Sequence, residues 1–225
     1  SLSKAIKKNN LEEINTTQNR SIEFSLLIAL PSAVGLYILS SSIIHVLFER
    51  GAFLSEDTFY TSKVLATFAF GLPAYILIKV LVTCFFARED TKTPLYISII
   101  SVIINIVLSL ILIENMREIG IALATSVSAW FNCLSLYILL KRKKFINLDK
   151  QLSIRFVKIT LSTLLMGLCC FHLHTYFLSN LASNSLYVNI IALISVILIC
   201  KIIYMALIFM LNVVSYSELK GYFKK

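Results

Sequence analysis

Charge is what this sequence has least of. Only 15% of its 225 residues are Asp, Glu, Lys or Arg, against 58% hydrophobic and a mean hydropathy of +0.83; soluble domains carry roughly a quarter charged residues. The charge present is crowded into short segments between apolar runs of about 18 to 25 residues, long enough to cross ~30 Å of hydrocarbon as helices. A single buried globular core, a nucleic-acid-binding domain and a disulfide-stapled secreted fold are all excluded by that pattern. Cysteine is too scarce and too greasily placed for a framework: the five residues Cys84, Cys133, Cys169, Cys170 and Cys200 are odd in number and all lie in apolar runs, where a thiol behaves as a small hydrophobe. The first 24 residues are polar and begin with Ser1, so no signal peptide opens the sequence, and the chain is expected to be a fragment of something longer.

What is there is a set of six candidate spans: Ser25 to Phe48, Val64 to Phe86, Tyr96 to Ile113, Ile119 to Leu140, Ile154 to Leu178 and Tyr187 to Leu211. Inside hydrocarbon every backbone donor and acceptor needs a partner within the segment, and the alternation of barrel strands is lacking, so the expected fold is all-α and integral to the membrane. The expected organisation is a cytoplasmic connection over 1–24, four helices over 25–140, a basic cytoplasmic loop over 141–153, two apolar helices over 154–211 and a cytoplasmic tail over 212–225. Sixteen Lys and Arg fall on one side of this arrangement and only Arg50, Lys63 and Arg117 on the other, which places both termini in the cytoplasm. The run Lys141-Arg142-Lys143-Lys144 follows a span directly, so it reads as a topology signal that also meets anionic headgroups rather than as a nucleic-acid site.

Acidic residues are absent from all six spans. That makes Lys79, about nine residues or roughly 13 Å of helix from Arg88, a cation with no ion-pair partner available inside the membrane. It shares a face with Tyr75 and Thr83, downstream of Gly71 and Pro73, which are expected to bend the helix and free carbonyls. A lysine at that depth faces either a watery cavity holding an anion or, by snorkelling, the interface. Polar stripes also run along the third span (Ser98, Ser101, Asn105, Ser109) and the fourth (Thr125, Ser128, Asn132, Ser135), where interhelical hydrogen bonding is the plain reading. Lys201 stands alone in the nearly unbroken Ile, Leu and Val of the last span. The last two spans are greasy enough for lipid exposure or for a groove holding an apolar chain. His45, His172 and His174 cluster near the outer ends of spans and are expected to pack there rather than bind metal.

Two connections carry more definite chemistry. In Phe48-Glu49-Arg50-Gly51-Ala52-Phe53 a tight turn is expected at Gly51, followed by Ser55 as N-cap with Glu56 and Asp57 at the positive helix end. In Phe85 to Pro94, Thr93 is expected to cap the next helix with Pro94 in its first turn, while Arg88, Glu89, Asp90 and Lys92 pair with one another.

Leu30-Pro31-Ser32-Ala33, Phe48-x-x-Gly51-x-Phe53, the run from Gly71-Leu72-Pro73 to Lys79-Val80-Leu81 and above all Phe86-Ala87-Arg88-x-Asp90-Thr91-x-Thr93-Pro94 resemble the lipid II flippase family MurJ (MviN) of the multidrug/oligosaccharidyl-lipid/polysaccharide exporter superfamily. The resemblance covers roughly residues 1–142; the last two spans match by hydropathy and position. It implies the last six helices of a fourteen-helix transporter, with the N-terminal lobe missing, that alternates access to a central cationic cavity. The implied cargo is lipid II, the undecaprenyl-pyrophosphate-linked peptidoglycan precursor, moved from the cytoplasmic to the periplasmic leaflet of the bacterial inner membrane. Lys79 matches the cavity lysine of this lobe, with Tyr75 and Thr83 beside it, and Arg88, Asp90, Thr91, Thr93 and Pro94 form the loop expected to switch. Some members bind sodium, and Asn105, Ser109, Ile121 (through its carbonyl) and Thr125 fall where the ligands would be; Ser109 replaces an acid, which weakens a hard-cation site. No other cofactor is expected. Other readings are an exporter of another polyprenyl-linked saccharide or of a drug, a non-transporting membrane scaffold, and an integral-membrane enzyme, for which Glu89 and Asp90 are the available acids.

Overall fold

The computed structural model describes residues 11–147, 149–178 and 186–213. These form α1 (Leu11–Phe48), α2 (Ser55–Phe86), α3 (Lys92–Arg142), α4 (Lys150–Leu173) with a π-helical turn at His174–Leu178, and α5 (Leu186–Met210). All five helices are long and apolar enough to cross a membrane. Their outer surfaces are as greasy as their interiors: Leu110, Val157 and Ile202 are each about two-thirds exposed. On a soluble protein such a surface would aggregate; here lipid is the solvent it matches.

Two expected boundaries shift. The stretch expected as a connection before Ser25 is helical from Leu11 and continuous with the first span, because no Gly or Pro interrupts it before Pro31. The second helix starts at Ser55 rather than Val64. The third and fourth spans form one continuous run, α3, with a break at Arg117 (φ 49°, ψ −131°). A straight helix of its 51 residues would be roughly 76 Å long, more than twice the hydrocarbon thickness. Instead its two halves lie side by side. A Cβ at Gly120 would come within 2.6 Å of the Leu112 carbonyl oxygen, and the Thr125 hydroxyl reaches Asn105 Oδ1 at 3.5 Å. Gly120 is needed because only hydrogen fits where one half passes the other. The expected tail beyond Val213 and residues 1–10, which hold six of the lysines in the topology count, lie outside the described residues.

Two buried clusters organise the packing. One joins Ile22 and Leu26 of α1 to Leu81, Cys84 and Phe85 of α2 and to Leu136 and Leu140 of α3. The other joins Leu39 and Val46 of α1 to Ile159 and Met166 of α4 and to Val196 and Ile208 of α5. α1 therefore belongs to both, packing α2 on one side and the α4–α5 pair on the other.

The prolines in the spans show how this packing is pinned. A proline cannot donate to the carbonyl four residues before it, so Pro31 leaves the Leu27 carbonyl free, and the Tyr204 hydroxyl of α5 takes it at 2.8 Å. Around Pro73 the Trp130 indole donates to the Phe70 carbonyl (3.1 Å) and the Ser126 hydroxyl to the Thr67 carbonyl (2.8 Å). Gly71 permits that approach, since a Cβ there would stand 2.8 Å from Ser126 Oγ.

Candidate functional site

Tyr75, Lys79 and Thr83 sit four residues apart on α2 and share one side of it, as the spacing requires. Lys79 and Thr83 are exposed, and the Tyr75 hydroxyl oxygen is buried beside Gly71, whose missing Cβ would meet the Tyr75 ring at 2.9 Å. Thr83 donates to the Val80 carbonyl of its own helix. Among the described residues Lys79 has no ion pair or hydrogen bond. The result is an uncompensated cation on an exposed face deep in a span. An anion placed there would meet a positive charge that no protein carboxylate competes for.

The second assembly lies at the basic end of the helices and joins the α2–α3 and α3–α4 connections. Glu89 adopts φ +60°, turning the chain so that Asp90 faces α3. One Asp90 oxygen accepts the Thr93 N–H (3.1 Å) and the other accepts the Thr93 hydroxyl (2.8 Å) and Lys143 Nζ (2.6 Å). Asp90, not Thr93, thus supplies the cap, because it precedes the helix and its charged carboxylate reaches forward to an exposed helix N–H. Pro94 falls in the first turn as expected, and Thr91 precedes the helix. The Lys143 ammonium, with help from the Thr93 contacts, holds the Asp90 carboxyl below the ordinary carboxylate range. Arg88 spans the gap by donating to the Cys84 carbonyl (2.9 Å) and the Phe145 carbonyl (2.7 Å) while its guanidinium lies 4.7 Å from the Phe145 ring centre. Burial pushes Arg88 below its usual value. The expected pairing among Arg88, Glu89, Asp90 and Lys92 is replaced by bonds to the 143–145 segment, a partner too distant in sequence to be visible there.

The same belt continues to α4. Asn19 Nδ2 donates to the Asn147 carbonyl (3.1 Å) and to Asp149 (2.8 Å), and Arg155 Nη1 contacts both Glu23 oxygens at 2.9 Å. Lys143, Phe145, Asn19, Glu23 and Arg155 were all missed by sequence reasoning. Their one legible signal is that Glu23 and Arg155 each lie next to the end of an apolar run with opposite charge.

Asn105, Ser109, Ile121 and Thr125 are brought together across the fold-back of α3. Asn105 Oδ1 accepts from Ser109 (3.1 Å) and from Thr125 (3.5 Å), and Thr125 also donates to the Ile121 carbonyl (2.8 Å). Of the expected polar stripes, Ser101 and Ser128 spend their hydroxyls on their own helix, while Asn105 and Thr125 meet across the fold-back; the bonds to α2 are carried by Ser126 and Trp130. At the opposite end, helix α2 begins with Asp57 accepting the Leu54 N–H at 2.9 Å, so Ser55 is the first helical residue rather than the cap. Glu49 accepts from Thr58 (2.6 Å) and pairs with His45 (2.9 Å), and the Thr58 hydroxyl followed by His45 lowers its carboxyl from the ordinary value. His174 bonds Ser42 at 3.0 Å. Among the described residues no three His, Cys, Asp or Glu gather as metal ligands.

An apolar groove of about 680 Å³ opens between α1, α2, α3 and α4, lined by Val34, Ala69, Phe70, Trp130, Leu164 and Phe171 among others. Membrane-length helices with greasy outer faces, unpaired lysines within spans and proline-containing helices bridged by side chains define a polytopic helical membrane protein. Its sequence matches the model of the family described as lipid II flippase MurJ over residues 1–197. The chain belongs to that family. A relative from Rickettsia prowazekii (strain Madrid E), described as a probable lipid II flippase MurJ, is 36% identical over 96% of this chain. One from Rhizobium tropici is 42% identical over 74% of it, and the lipid II flippase MurJ of Thermosipho africanus (strain TCF52B) 36% identical over 70%. The solved lipid II flippase MurJ in an inward closed conformation superposes with a TM-score of 0.73 at 31% identity, covering 92% of this chain and 40% of that one. The chain spans 43% of the length of the Rickettsia relative and 31% of the Rhizobium one.

Proposed function

We propose that this chain is the C-terminal lobe of a lipid II flippase, six membrane crossings with α3 contributing two, which works with an N-terminal lobe to carry undecaprenyl-pyrophosphate-linked precursor from the cytoplasmic to the periplasmic leaflet of the inner membrane for cell wall synthesis. The observation that carries this reading is Lys79: an exposed cation deep in α2, flanked by Tyr75 and Thr83, with no carboxylate paired to it among the described residues. Family membership supplies the cargo, because the relatives carry that name.

In this mechanism no bond of the substrate is made or broken, so no acid or base is required. Lys79 attracts the anionic head into the cavity between lobes, where low dielectric strengthens the attraction. Thr83 presents a hydroxyl oxygen beside it for the sugar and peptide, whereas the Tyr75 hydroxyl is buried and supports the helix packing instead. The groove beside Trp130 gives room for part of the isoprenoid chain, consistent with its apolar lining. Arg88, Asp90, Thr93 and Lys143 make the connections at the basic end move as one body, which is what a rigid lobe rocking against its partner needs. The basic end faces the cytoplasm, as the distribution of Lys and Arg supports.

The Asn105, Ser109, Ile121 and Thr125 cluster reads as hydrogen-bonded glue across the fold-back rather than a sodium site. Its oxygens are all neutral, and Asn105 Oδ1 is already turned to two hydroxyl donors; a hard cation needs more oxygens or a carboxylate.

The test is complementation with the complete reading frame in cells depleted of their own flippase, scoring lipid II exposed on the outer leaflet. Restored exposure supports the reading; protein present in the membrane without exposure, and with a different polyprenyl-linked saccharide transported, overturns it.

A further inference from the structure

A second groove, of about 530 Å³, runs between α1, α4 and α5, and sulfur is concentrated in it: Met166 and Cys170 of α4 and Cys200 and Met205 of α5 all line it. No Asp, Glu or His does. The register of the two helices brings the thiols together. Lys158 Nζ donates to the Leu211 carbonyl at 2.8 Å. Twelve residues on from Lys158 and eleven back from Leu211 stand Cys170 and Cys200, level with each other and roughly 17 Å of helix from that bond. Both are buried in the cluster that joins α4 to α5, at 0% and 6% exposure, and their thiols lie in hydrogen-bonding contact. Met166, one turn before Cys170, is buried in the same cluster. Cys169 is only partly buried and does not line the groove, and Cys84 and Cys133 belong to the other cluster.

Lys201 follows Cys200 directly and lines the same groove. It is exposed and, among the described residues, makes no ion pair or hydrogen bond. Lys158, by contrast, is occupied by the Leu211 carbonyl. One uncompensated positive charge therefore stands beside two thiols, at a depth where hydrocarbon makes an isolated charge costly. What it lacks is a single negative charge.

Two thiols in contact supply that charge when they hold a soft monovalent cation. Cu(I) prefers thiolate and thioether sulfur to oxygen. On binding, each thiol gives up its proton and copper keeps its oxidation state: two R–SH and one Cu⁺ become R–S–Cu–S–R with one net negative charge, and two protons leave. The Lys201 ammonium cancels that charge, so the complex and its counter-ion are neutral together in the membrane. Zinc fits worse. It takes four ligands, no three His, Cys, Asp or Glu gather among the described residues, and its bis-thiolate carries no charge for Lys201 to balance. Ile28, Ile197 and Met205 are exposed, so the groove opens on the surface of the helices and gives the ion a way in.

We propose that Cys170 and Cys200 form a Cu(I) site, a two-coordinate bis-thiolate with Lys201 as counter-ion and the Met166 thioether as a weaker donor beside it. The ion ties α4 to α5 in the middle of the membrane. The site is separate from the Lys79 stripe, since neither Lys79 nor Tyr75 lines the groove.

The experiment uses the full-length protein, purified in detergent without oxygen and titrated with Cu(I) against bicinchoninate, whose colour reports the copper it keeps. Wild type is expected to withdraw one Cu(I) per chain, and Cys170→Ala and Cys200→Ala none. Cys84→Ala, Cys133→Ala and Cys169→Ala withdraw one, as wild type does. Lys201→Gln weakens the affinity about tenfold, the order expected when a unit charge is removed from beside the complex, and Lys201→Arg restores it. X-ray absorption of the loaded protein shows sulfur neighbours alone. Copper held by Cys170→Ala or Cys200→Ala, copper lost by any of the three controls, or oxygen or nitrogen neighbours overturns the proposal. Should either alanine variant fail to fold, Lys201→Gln decides, because that exposed side chain can be changed without disturbing the packing; an unchanged affinity there also overturns it. None of these readouts measures transport, so the outcome is independent of the flippase reading.

Discussion

Lys79 and Tyr204 are single residues whose roles differ in kind. Lys79 touches nothing charged, so removing it should cost transport and not folding. Lys79→Ala is expected to lower lipid II exposure at least tenfold in complementation with unchanged protein level in the membrane, and Lys79→Arg to restore most of it; equal exposure in Lys79→Ala removes the lysine from the mechanism. Tyr204 instead repairs a carbonyl that Pro31 orphans. Tyr204→Phe should destabilise by about 0.6 kcal/mol, the average for an interhelical hydrogen bond in a membrane. Restoring the missing N–H with Pro31→Ala should make Tyr204→Phe nearly silent. A double-mutant cycle by unfolding in detergent measures this coupling, and additive effects would show that the two residues do not share that carbonyl.

At the scale of elements, the fold-back of α3 and its cap can be tested apart. Gly120→Val puts methyls where the Leu112 carbonyl stands, so the two halves must separate; the expected result is loss of a cross-link between cysteines placed at positions 105 and 125. Asp90→Ala removes a helix cap worth about 1 kcal/mol and also frees Lys143. Faster proteolysis at the 86–93 connection is the expected sign, with Asp90→Asn intermediate because an amide oxygen can still accept the Thr93 N–H. The periodic polar stripes on the third and fourth spans were legible in the sequence, and so was the cluster of Asn105, Ser109 and Thr125. Which hydroxyls cross between helices was not, since Ser101 and Ser126 look alike in one dimension and differ only in what packs beside them.

For the molecule as a whole, the belt of Arg88, Asp90, Lys143, Asn19, Glu23 and Arg155 ties the α1–α3 unit to α4 and should give stability a defined pH dependence. The Asp90 carboxyl is held below its unfolded value near 3.9 by Lys143. A depressed acid contributes stability that is present above the unfolded value and is lost as pH falls through the folded one. Thermal unfolding in detergent should therefore show a decline beginning below about pH 4, and the decline should shrink in Lys143→Gln. A curve identical in the variant would detach Asp90 from that stability. The pair is partly exposed, so salt should weaken the effect.

What the sequence determined by itself was what local chemistry and solvent matching require. Hydropathy set the spans because each helix must satisfy its own backbone in hydrocarbon; the absence of acids from those spans isolated Lys79; and the loop motif identified the family. The tertiary structure decided the rest because it depends on which segments meet. The replacement of Thr93 by Asp90 as cap, the bonding of Arg88 to the Phe145 carbonyl and the repair of the Pro31 carbonyl by Tyr204 are contacts between residues that no periodicity connects. The same holds for Lys201. As a letter in an apolar run it is an anomaly, and only the packing of α1 and α4 against α5 places it on the lining of a groove.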